Sequence, residues 1–528
     1  MKLTPFKNES LANFSLGEHR EKMIEALKKV RSELGKNYGL HTADESPSKP
    51  SPAIASVNPA DPDEVIGYVP AANKAEAEKA LSTVFEGAAS WKQTPADQRI
   101  ALLIKLAEWM RLRRYELSAW MVYEVGKNWR EADADVCEAI DFCEYYAREM
   151  NRLSSPRITQ MVSGESDQLV YFPKGVSVVI APWNFPLAIL TGMTVASLVT
   201  GNTVILKPAE QSPVIGSKLA QGLHAVGFPK SSFYFLPGTG EEIGPLLVSD
   251  PRVDLIAFTG SAEVGLSIIE SAAHKPQPRQ RGVKKVIAEM GGKNALIIDE
   301  DADIDEAITG AVHSAFGFQG QKCSALSRLI VHEKIYDIFV KRFVEATSSL
   351  RLGNPANPEY QVGPVVDQEA QKRIDRTAIE AEARSKLLFK AKEVPTKGYY
   401  VAPRVFEVES IEDPLFQKEI FGPVVAVKKV KDLDEAFRAA NSVPYALTGG
   451  LYSRSPSHIE RAKNEFEVGN LYINRAITGA TVERHPFGGF KMSGIGSKAG
   501  GPDYLLQFLE PRTISENTVR RGFAAAAS

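Results

Sequence analysis

The stretch Gly175-Val176-Ser177-Val178-Val179-Ile180-Ala181-Pro182-Trp183-Asn184-Phe185-Pro186 opens a run that carries no charged residue until Lys207. Such a run has two readings. A membrane span needs about 20 apolar residues in one unbroken helix. Here Pro182, Asn184, Pro186, Gly201 and Asn202 divide the run into short pieces. The pieces read as a strand over Val176–Ile180, a turn, a buried helix, a second turn and a strand over Thr203–Leu206. Strand, helix and strand without charge form the inner part of a βαβ unit, covered on both faces.

The same pattern continues outward. Phe233–Leu236 and Leu255–Phe258 are short apolar runs, each followed by a turn signal and a helical segment, which predicts a parallel sheet. A second series, Asn294–Ile298, Ser327–Val331, Val424–Val430 and Gly449–Tyr452, predicts another α/β lobe. Upstream, residues 18–35 read as a charged amphipathic helix. Asn73–Met150 is helical throughout, with long segments over Ile100–Tyr115 and Glu131–Arg148. Residues 41–62, rich in Pro, Ser and Ala, read as an irregular connection. Asp167–Phe172 alternates like half of a hairpin. Arg512–Val519 reads as a lone strand with no local partner, an edge that invites pairing with another subunit.

Bulk composition narrows the function. The 528 residues hold 63 Lys and Arg against 65 Asp and Glu, a formal charge of −2. No basic excess points to nucleic acid and no acidic run to a disordered tail. Three cysteines, Cys137, Cys143 and Cys323, make no disulfide framework and suit a reducing compartment, so a cytoplasmic location is expected. Cys137 and Cys143 fall on a helix as packing residues. The eight histidines form no metal-ligand pattern, and no metal is expected. The first residues, Met1-Lys2-Leu3-Thr4-Pro5, lack the apolar core of a secretory leader, and Glu9 and Glu18 weigh against a transit peptide.

Three short segments carry chemistry. In Gly317-Phe318-Gln319-Gly320-Gln321-Lys322-Cys323-Ser324 a single cysteine follows a polar, Gly-rich turn. A lone cysteine is by default a small buried hydrophobe. These neighbours are polar, and Lys322 would favour the thiolate, so a nucleophile is the sharper reading. In Val286-Ile287-Ala288-Glu289-Met290-Gly291-Gly292-Lys293-Asn294 a glutamate closes an apolar strand. It is either a solvated strand end or a base at the carboxyl end of a sheet, where α/β clefts form. Asn184, held between prolines and aromatics, is either a turn residue or an amide donor to an oxyanion.

Together these segments resemble the aldehyde dehydrogenase superfamily. The motifs occur in its order, 34 positions separate Glu289 from Cys323, and Lys207-Pro208-Ala209-Glu210 follows Asn184. Glu419-Ile420-Phe421-Gly422-Pro423 and Pro486-Phe487-Gly488-Gly489 complete the set, and the resemblance covers roughly residues 50 to 515. It implies an α/β fold with a Rossmann-type NAD-binding domain (1–156 and 177–288, with the N-terminal helical region). A catalytic α/β domain (289–490) and a small oligomerisation flap (157–176 and 505–528) complete it. It also implies a homo-oligomer.

The implied chemistry is thiolate attack by Cys323 on an aldehyde, with the alkoxide stabilised by the Asn184 amide and the Cys323 backbone N–H. Hydride loss to nicotinamide then leaves a thioester, which water activated by Glu289 hydrolyses. As a dinucleotide fingerprint, Gly238-Thr239-Gly240-Glu241-Glu242-Ile243-Gly244 departs from the usual spacing, so Gly240 and Gly244 are weak cofactor candidates. Phe258-Thr259-Gly260-Ser261 leads into a helix whose N-terminus suits a pyrophosphate. By resemblance, Ala181, Pro182, Trp183, Thr259, Gly260, Ser261 and Phe421 line the cofactor, Lys207 and Glu210 hold the adenosine ribose, and Glu419 holds the nicotinamide ribose. A carboxylate at Glu210 would repel a 2′-phosphate, which favours NAD over NADP, and Lys207 softens that preference.

Specificity has to come from other segments. Asn474-Arg475-Ala476-Ile477-Thr478-Gly479-Ala480, the glycine-rich run to Gly494, and Ser497–Leu505 resemble the Δ1-pyrroline-5-carboxylate dehydrogenases, which oxidise L-glutamate γ-semialdehyde to glutamate in the second step of proline degradation. Pro5-Phe6-Lys7-Asn8-Glu9 and Glu138-Ala139-Ile140-Asp141-Phe142 agree with that branch. The backbone N–H groups of Gly479 and Ala480 and the Ser324 hydroxyl would bind the α-carboxylate as a small anion nest. Phe185 and Phe487 would flank the aliphatic middle, and Glu138 joins the substrate set. The bland alternative for Thr478-Gly479-Ala480 is a flexible loop. His485 stands where glutamine is the more familiar residue. No residues remain for a proline dehydrogenase barrel, so a separate enzyme, in transient association, would supply the substrate. Two rivals remain: an aldehyde dehydrogenase of other specificity, including a CoA-acylating form, which Glu289 opposes, and a silent structural protein on this fold.

Overall fold

The computed structural model describes residues 3–274, 278 and 280–519. Met1, Lys2 and the last part of the expected C-terminal element, 520–528, lie outside the described residues.

The uncharged run folds as its punctuation dictates. Val176–Ile180 and Thr203–Lys207 are adjacent parallel strands, paired Val176 to Thr203 through Ile180 to Lys207. Ala188–Val199 is a helix between them, and every residue in it except Ile189 is buried. At 12 residues it is too short to span a bilayer; among the described residues no helix is long and apolar enough to cross a membrane. Buried polar groups from outside close its carboxyl end: Trp91 Nε1 donates to Leu198 O and Arg99 Nε to Val199 O, at 3.1 and 2.9 Å.

The sheet that grows from this unit has six strands. In spatial order they are Gly494–Ile495, Lys285–Glu289, Val253–Thr259, Val176–Ile180, Thr203–Lys207 and Phe233–Phe235. All are parallel except the first, which returns antiparallel from far down the chain. The chain moves one way from Val176–Ile180 and later crosses to its other side at Val253–Thr259. That reversal opens a crevice beyond the carboxyl ends of these two strands, the usual ligand position in such sheets.

A second sheet of seven strands contains Arg404–Glu407, Val424–Val430, Leu326–His332, Asn294–Ile298, Thr448–Tyr452 and Asn470–Ile473, all parallel, with antiparallel Lys386–Lys390 at one edge. Only four residues separate the end of Lys285–Glu289 from the start of Asn294–Ile298, so the carboxyl edge of the first sheet meets the amino edge of the second.

The N-terminal helical region is helices Gly17–Ser32, Lys74–Gln93, Ala96–Leu112, Arg114–Val125 and Trp129–Leu153. Asn73 starts the second with a full capping box. Two expectations are corrected. Residues 41–62 are not simply irregular: Glu45–Ser46, Ala53–Asn58 and Asp61–Pro70 belong to a four-stranded sheet. Pro and Ser between the strands masked their alternation. The C-terminal strand also has a partner in its own chain. Leu509–Asn517 pairs antiparallel with Glu165–Pro173 over all nine residues, and Arg157–Ile158 makes the third strand. The outer edge of Leu509–Asn517 stays unpaired among the described residues.

Candidate active site

A cavity of about 340 Å³ lies where the two sheets meet. Cys323 and Glu289 both line it. So do all six residues expected to touch substrate: Glu138, Phe185, Ser324, Gly479, Ala480 and Phe487.

The Cys323 turn is held from several directions. Phe318, Gln319 and Gly320 have positive φ of 48°, 58° and 68°. A Cβ on Gly320 would lie 2.4 Å from the carbonyl oxygen of Gly422, so only glycine fits. The Gln319 amide donates to Pro364 O at 2.7 Å, and Gln321 Oε1 accepts from Val366 N–H at 3.0 Å. Asn294 Nδ2 donates to Cys323 O at 2.7 Å and Ala325 O at 2.9 Å, while its Oδ1 accepts from Thr448 N–H at 3.0 Å. Asn184 Nδ2 donates to Gln321 O at 3.0 Å, which leaves its second amide hydrogen available. Strained backbone tied down this thoroughly is typical of functional turns.

Electrostatics set the resting protonation. Burial, then the carboxylates of Glu419 and Glu289, push the Cys323 thiol up to about 12, so it rests protonated. The help expected from Lys322 is absent. Its ammonium forms an ion pair with Glu131 at 2.7 Å, both side chains mostly buried, and its charge is spent there. Burial raises Glu289 to about 8, opposed by the Gly489 N–H and by Lys498. Its Oε2 has no hydrogen-bond partner among the described residues. Glu289 is thus held protonated below that value and becomes a base as pH rises through it.

On the far wall, Gly479 has φ +77°, and neither its N–H nor that of Ala480 has an acceptor among the described residues. The Ser324 side chain is buried and its hydroxyl likewise lacks a partner among them. Glu138, raised to about 8 by burial and Asp135, faces the same space.

Several expected cofactor residues stand at or just beyond the carboxyl ends of strands of the first sheet. Ala181, Pro182 and Trp183 follow the strand ending at Ile180, and Thr259 ends its neighbour. Ser261 caps helix Ala262–Ala272, accepting from Val264 N–H at 3.3 Å. Lys207 and Glu210 pair at 3.1 Å. Gly240 opens helix Gly240–Ser249, and a Cβ at Gly244 would meet open space. Glu419 Oε1 accepts from Gly292 N–H at 2.9 Å, and a Cβ at Gly291 would strike its carboxylate. Phe421, at φ +55°, meets Trp183 edge to face at 5.6 Å.

Three supporting residues escaped the sequence reading. Asn294 is one. Lys127, fully buried and paired with Asp135 at 2.8 Å, lies 4.1 Å from the Phe185 ring centroid and backs that wall. Asn8 Nδ2 donates to both Asp141 Oδ2 and Val482 O at 2.9 Å, tying the N-terminal arm to the 478–485 loop. The motif around Glu289 contained Asn294 and the opening Pro5–Glu9 contained Asn8, both faint signals; Lys127 had none, because its contacts are distant in sequence.

The aldehyde dehydrogenase family profile matches residues 46–514. The chain belongs to the aldehyde dehydrogenase family. Among similar family members, 1-pyrroline-5-carboxylate dehydrogenase 2 of Bacillus subtilis (strain 168) is 48% identical, covering 97% of this chain and 99% of the relative. A crystal structure of 1-pyrroline-5-carboxylate dehydrogenase from Thermus with bound NAD superposes with a TM-score of 0.94 at 47% identity, covering 98% of this chain and 100% of the other. Proline utilization A from Bdellovibrio bacteriovorus superposes with a TM-score of 0.96 at 50% identity; all of this chain is covered, but it spans only 55% of that longer one.

Proposed function

We infer that this chain is a Δ1-pyrroline-5-carboxylate dehydrogenase, oxidising L-glutamate γ-semialdehyde to glutamate in the second step of proline degradation. The observation that carries the substrate reading is the set of three donors without acceptors, Gly479 N–H, Ala480 N–H and the Ser324 hydroxyl. They share one cavity with Cys323 and Glu289. A carboxylate at one end of an aldehyde substrate satisfies them, while the other end meets the thiol.

NAD is the cofactor we assign. The crevice at the strand reversal, the N-terminal end of helix Ala262–Ala272, the open face at Gly244 and the Lys207–Glu210 pair suit a dinucleotide. Lys207 and Glu210 would hold the adenosine ribose and Glu419 the nicotinamide ribose. When bound, the nicotinamide supplies the hydride acceptor. Cys323 Sγ, once its proton has passed to solvent water, adds to the aldehyde carbon. The free amide hydrogen of Asn184 and the Cys323 N–H stabilise the oxyanion. After oxidation the acyl group is held as a thioester. Glu289 takes a proton from water, the resulting hydroxide adds to the thioester carbonyl, and the intermediate expels the Cys323 thiolate, which takes that proton back from Glu289. Phe185 and Phe487 exclude water from the aliphatic segment.

The test is NADH formation from glutamate γ-semialdehyde with glutamate as product. Absence of NADH, or release of product only as a CoA thioester, would overturn the reading.

We further propose that a second copy of the chain adds to the free edge of Leu509–Asn517, the strand that carries the exposed Ile514. Deleting residues from Arg512 onward should shift the protein to a smaller species in light scattering; an unchanged mass would refute this. A separate proline-oxidising enzyme is the proposed source of substrate.

A further inference from the structure

His485 occupies an unusual hydrogen-bonding position. Its backbone N–H donates to Thr481 O at 2.8 Å, and its Nδ1 faces the Thr481 N–H at 3.2 Å. Its Nε2 faces Arg475 Nη1 at 3.0 Å. Both ring nitrogens therefore meet N–H donors. A neutral imidazole has one lone pair to offer these two donors, and an imidazolium has none. The turn it closes, Thr481–His485, directly follows Gly479 and Ala480, and His485 lines the same cavity.

We propose that His485 is a positioning residue: its neutral imidazole holds the Thr481–His485 turn so that Gly479 and Ala480 present their N–H groups to the substrate carboxylate, and protonation releases that hold. The inference rests on reading Gly479 and Ala480 as the carboxylate anchor. Protonation adds a cation beside Arg475, with the charge of Arg484 also near, and turns both ring contacts repulsive. Besides those arginines, the Tyr472 ring packs edge-on at 6.1 Å, and the carboxyl groups of Glu9, Glu131, Glu138, Asp141 and Glu289 and the Lys322 ammonium share the cavity. Burial, then Arg475 and Arg484, lower the imidazole below its ordinary value, in keeping with a site built for the neutral ring. The hold is thus present above the lowered value and lost as pH falls through it. Substrate attraction to an imidazolium would act in the opposite direction, so the sign of the pH effect discriminates between the two.

The experiment compares KM for glutamate γ-semialdehyde in the wild-type enzyme and His485→Gln from about pH 8 to about pH 5. Glutamine Oε1 accepts the same bond but does not titrate. Taking the ratio of the two enzymes cancels the substrate's own pH equilibria. The wild-type to His485→Gln ratio of KM should rise about fivefold toward acid, the loss of one hydrogen bond, and stay flat for propanal. His485→Phe, which offers no acceptor, should raise KM for the semialdehyde at every pH while kcat changes less. A ratio that is flat or falls toward acid, or a wild-type KM in His485→Phe, would overturn the proposal. Ala480→Pro separates this from failure of the anchor reading. If it impairs both aldehydes alike, the anchor is wrong; if it is selective while the His485 ratio stays flat, only the His485 role is wrong.

Discussion

Two walls of one cavity are built in opposite ways. The Cys323 turn is interior: its backbone and side chains are pinned by Asn294, Gln319, Gln321 and Asn184, and Gly320 fits against a neighbouring carbonyl. The loop from Thr478 to His485 is a surface element. Gly479 is exposed, a Cβ there would meet nothing, and the loop is held at Val482 by Asn8 and at Thr481 by His485. Reaction chemistry tolerates little displacement, so the nucleophile sits on the rigid side. Substrate choice needs only a few aimed donors; two of them, Gly479 and Ala480, sit on the side that can be altered without unmaking the fold, and Ser324 stands beside the nucleophile.

Breaking the rigid wall should have the largest effect. Cys323→Ala removes the nucleophile, so turnover should fall by at least about 1000-fold. NAD affinity, read by fluorescence titration, should stay within about threefold. Wild-type-like turnover would remove the thiol from the account.

Glu289→Gln should lower steady-state turnover by about 100-fold while a single-turnover burst of NADH survives. In the wild type, Glu289 is raised to about 8 by burial, so below that pH it carries a proton and cannot accept another. The thioester-hydrolysis rate should climb with pH through that region, and the climb should be absent in the glutamine variant. Loss of the burst together with turnover would instead give Glu289 the task of taking the Cys323 proton, a step the high thiol value makes necessary.

Changes to the three anchor donors should be smaller and selective. Ala480→Pro deletes one N–H and distorts the turn, and should cost about 30-fold or more in kcat/KM for glutamate γ-semialdehyde but much less for propanal. Ser324→Ala removes one hydroxyl and should cost about 5- to 10-fold. Equal losses on both aldehydes would mean that the loop shapes the whole cavity rather than recognising an anion.

The contrast between the walls also explains what was legible in the sequence. Cys323, Glu289 and Asn184 stand in short segments whose glycines and prolines announce a constrained backbone, and their spacing places them on one seam. The βαβ unit at Val176–Leu206 was readable because its turns are written in Pro, Asn and Gly. The pairing of Leu509–Asn517 with Glu165–Pro173 was not, because the partners lie more than 300 positions apart and no local pattern joins them. Lys127 behind Phe185 and Asn8 across to Val482 were hidden for the same reason. Lys322 misled in the other direction: adjacency to Cys323 suggested activation, whereas its charge is spent on Glu131, itself far away in sequence.

The most direct measurement is kcat/KM of the wild-type enzyme with NAD for glutamate γ-semialdehyde and for propanal under the same conditions. Three donors satisfied by a carboxylate, and left empty by propanal, should be worth about 2–4 kcal/mol in the transition state, or roughly 30- to 1000-fold in favour of the semialdehyde. Comparable values for the two aldehydes would contradict the anchor assigned to Gly479, Ala480 and Ser324.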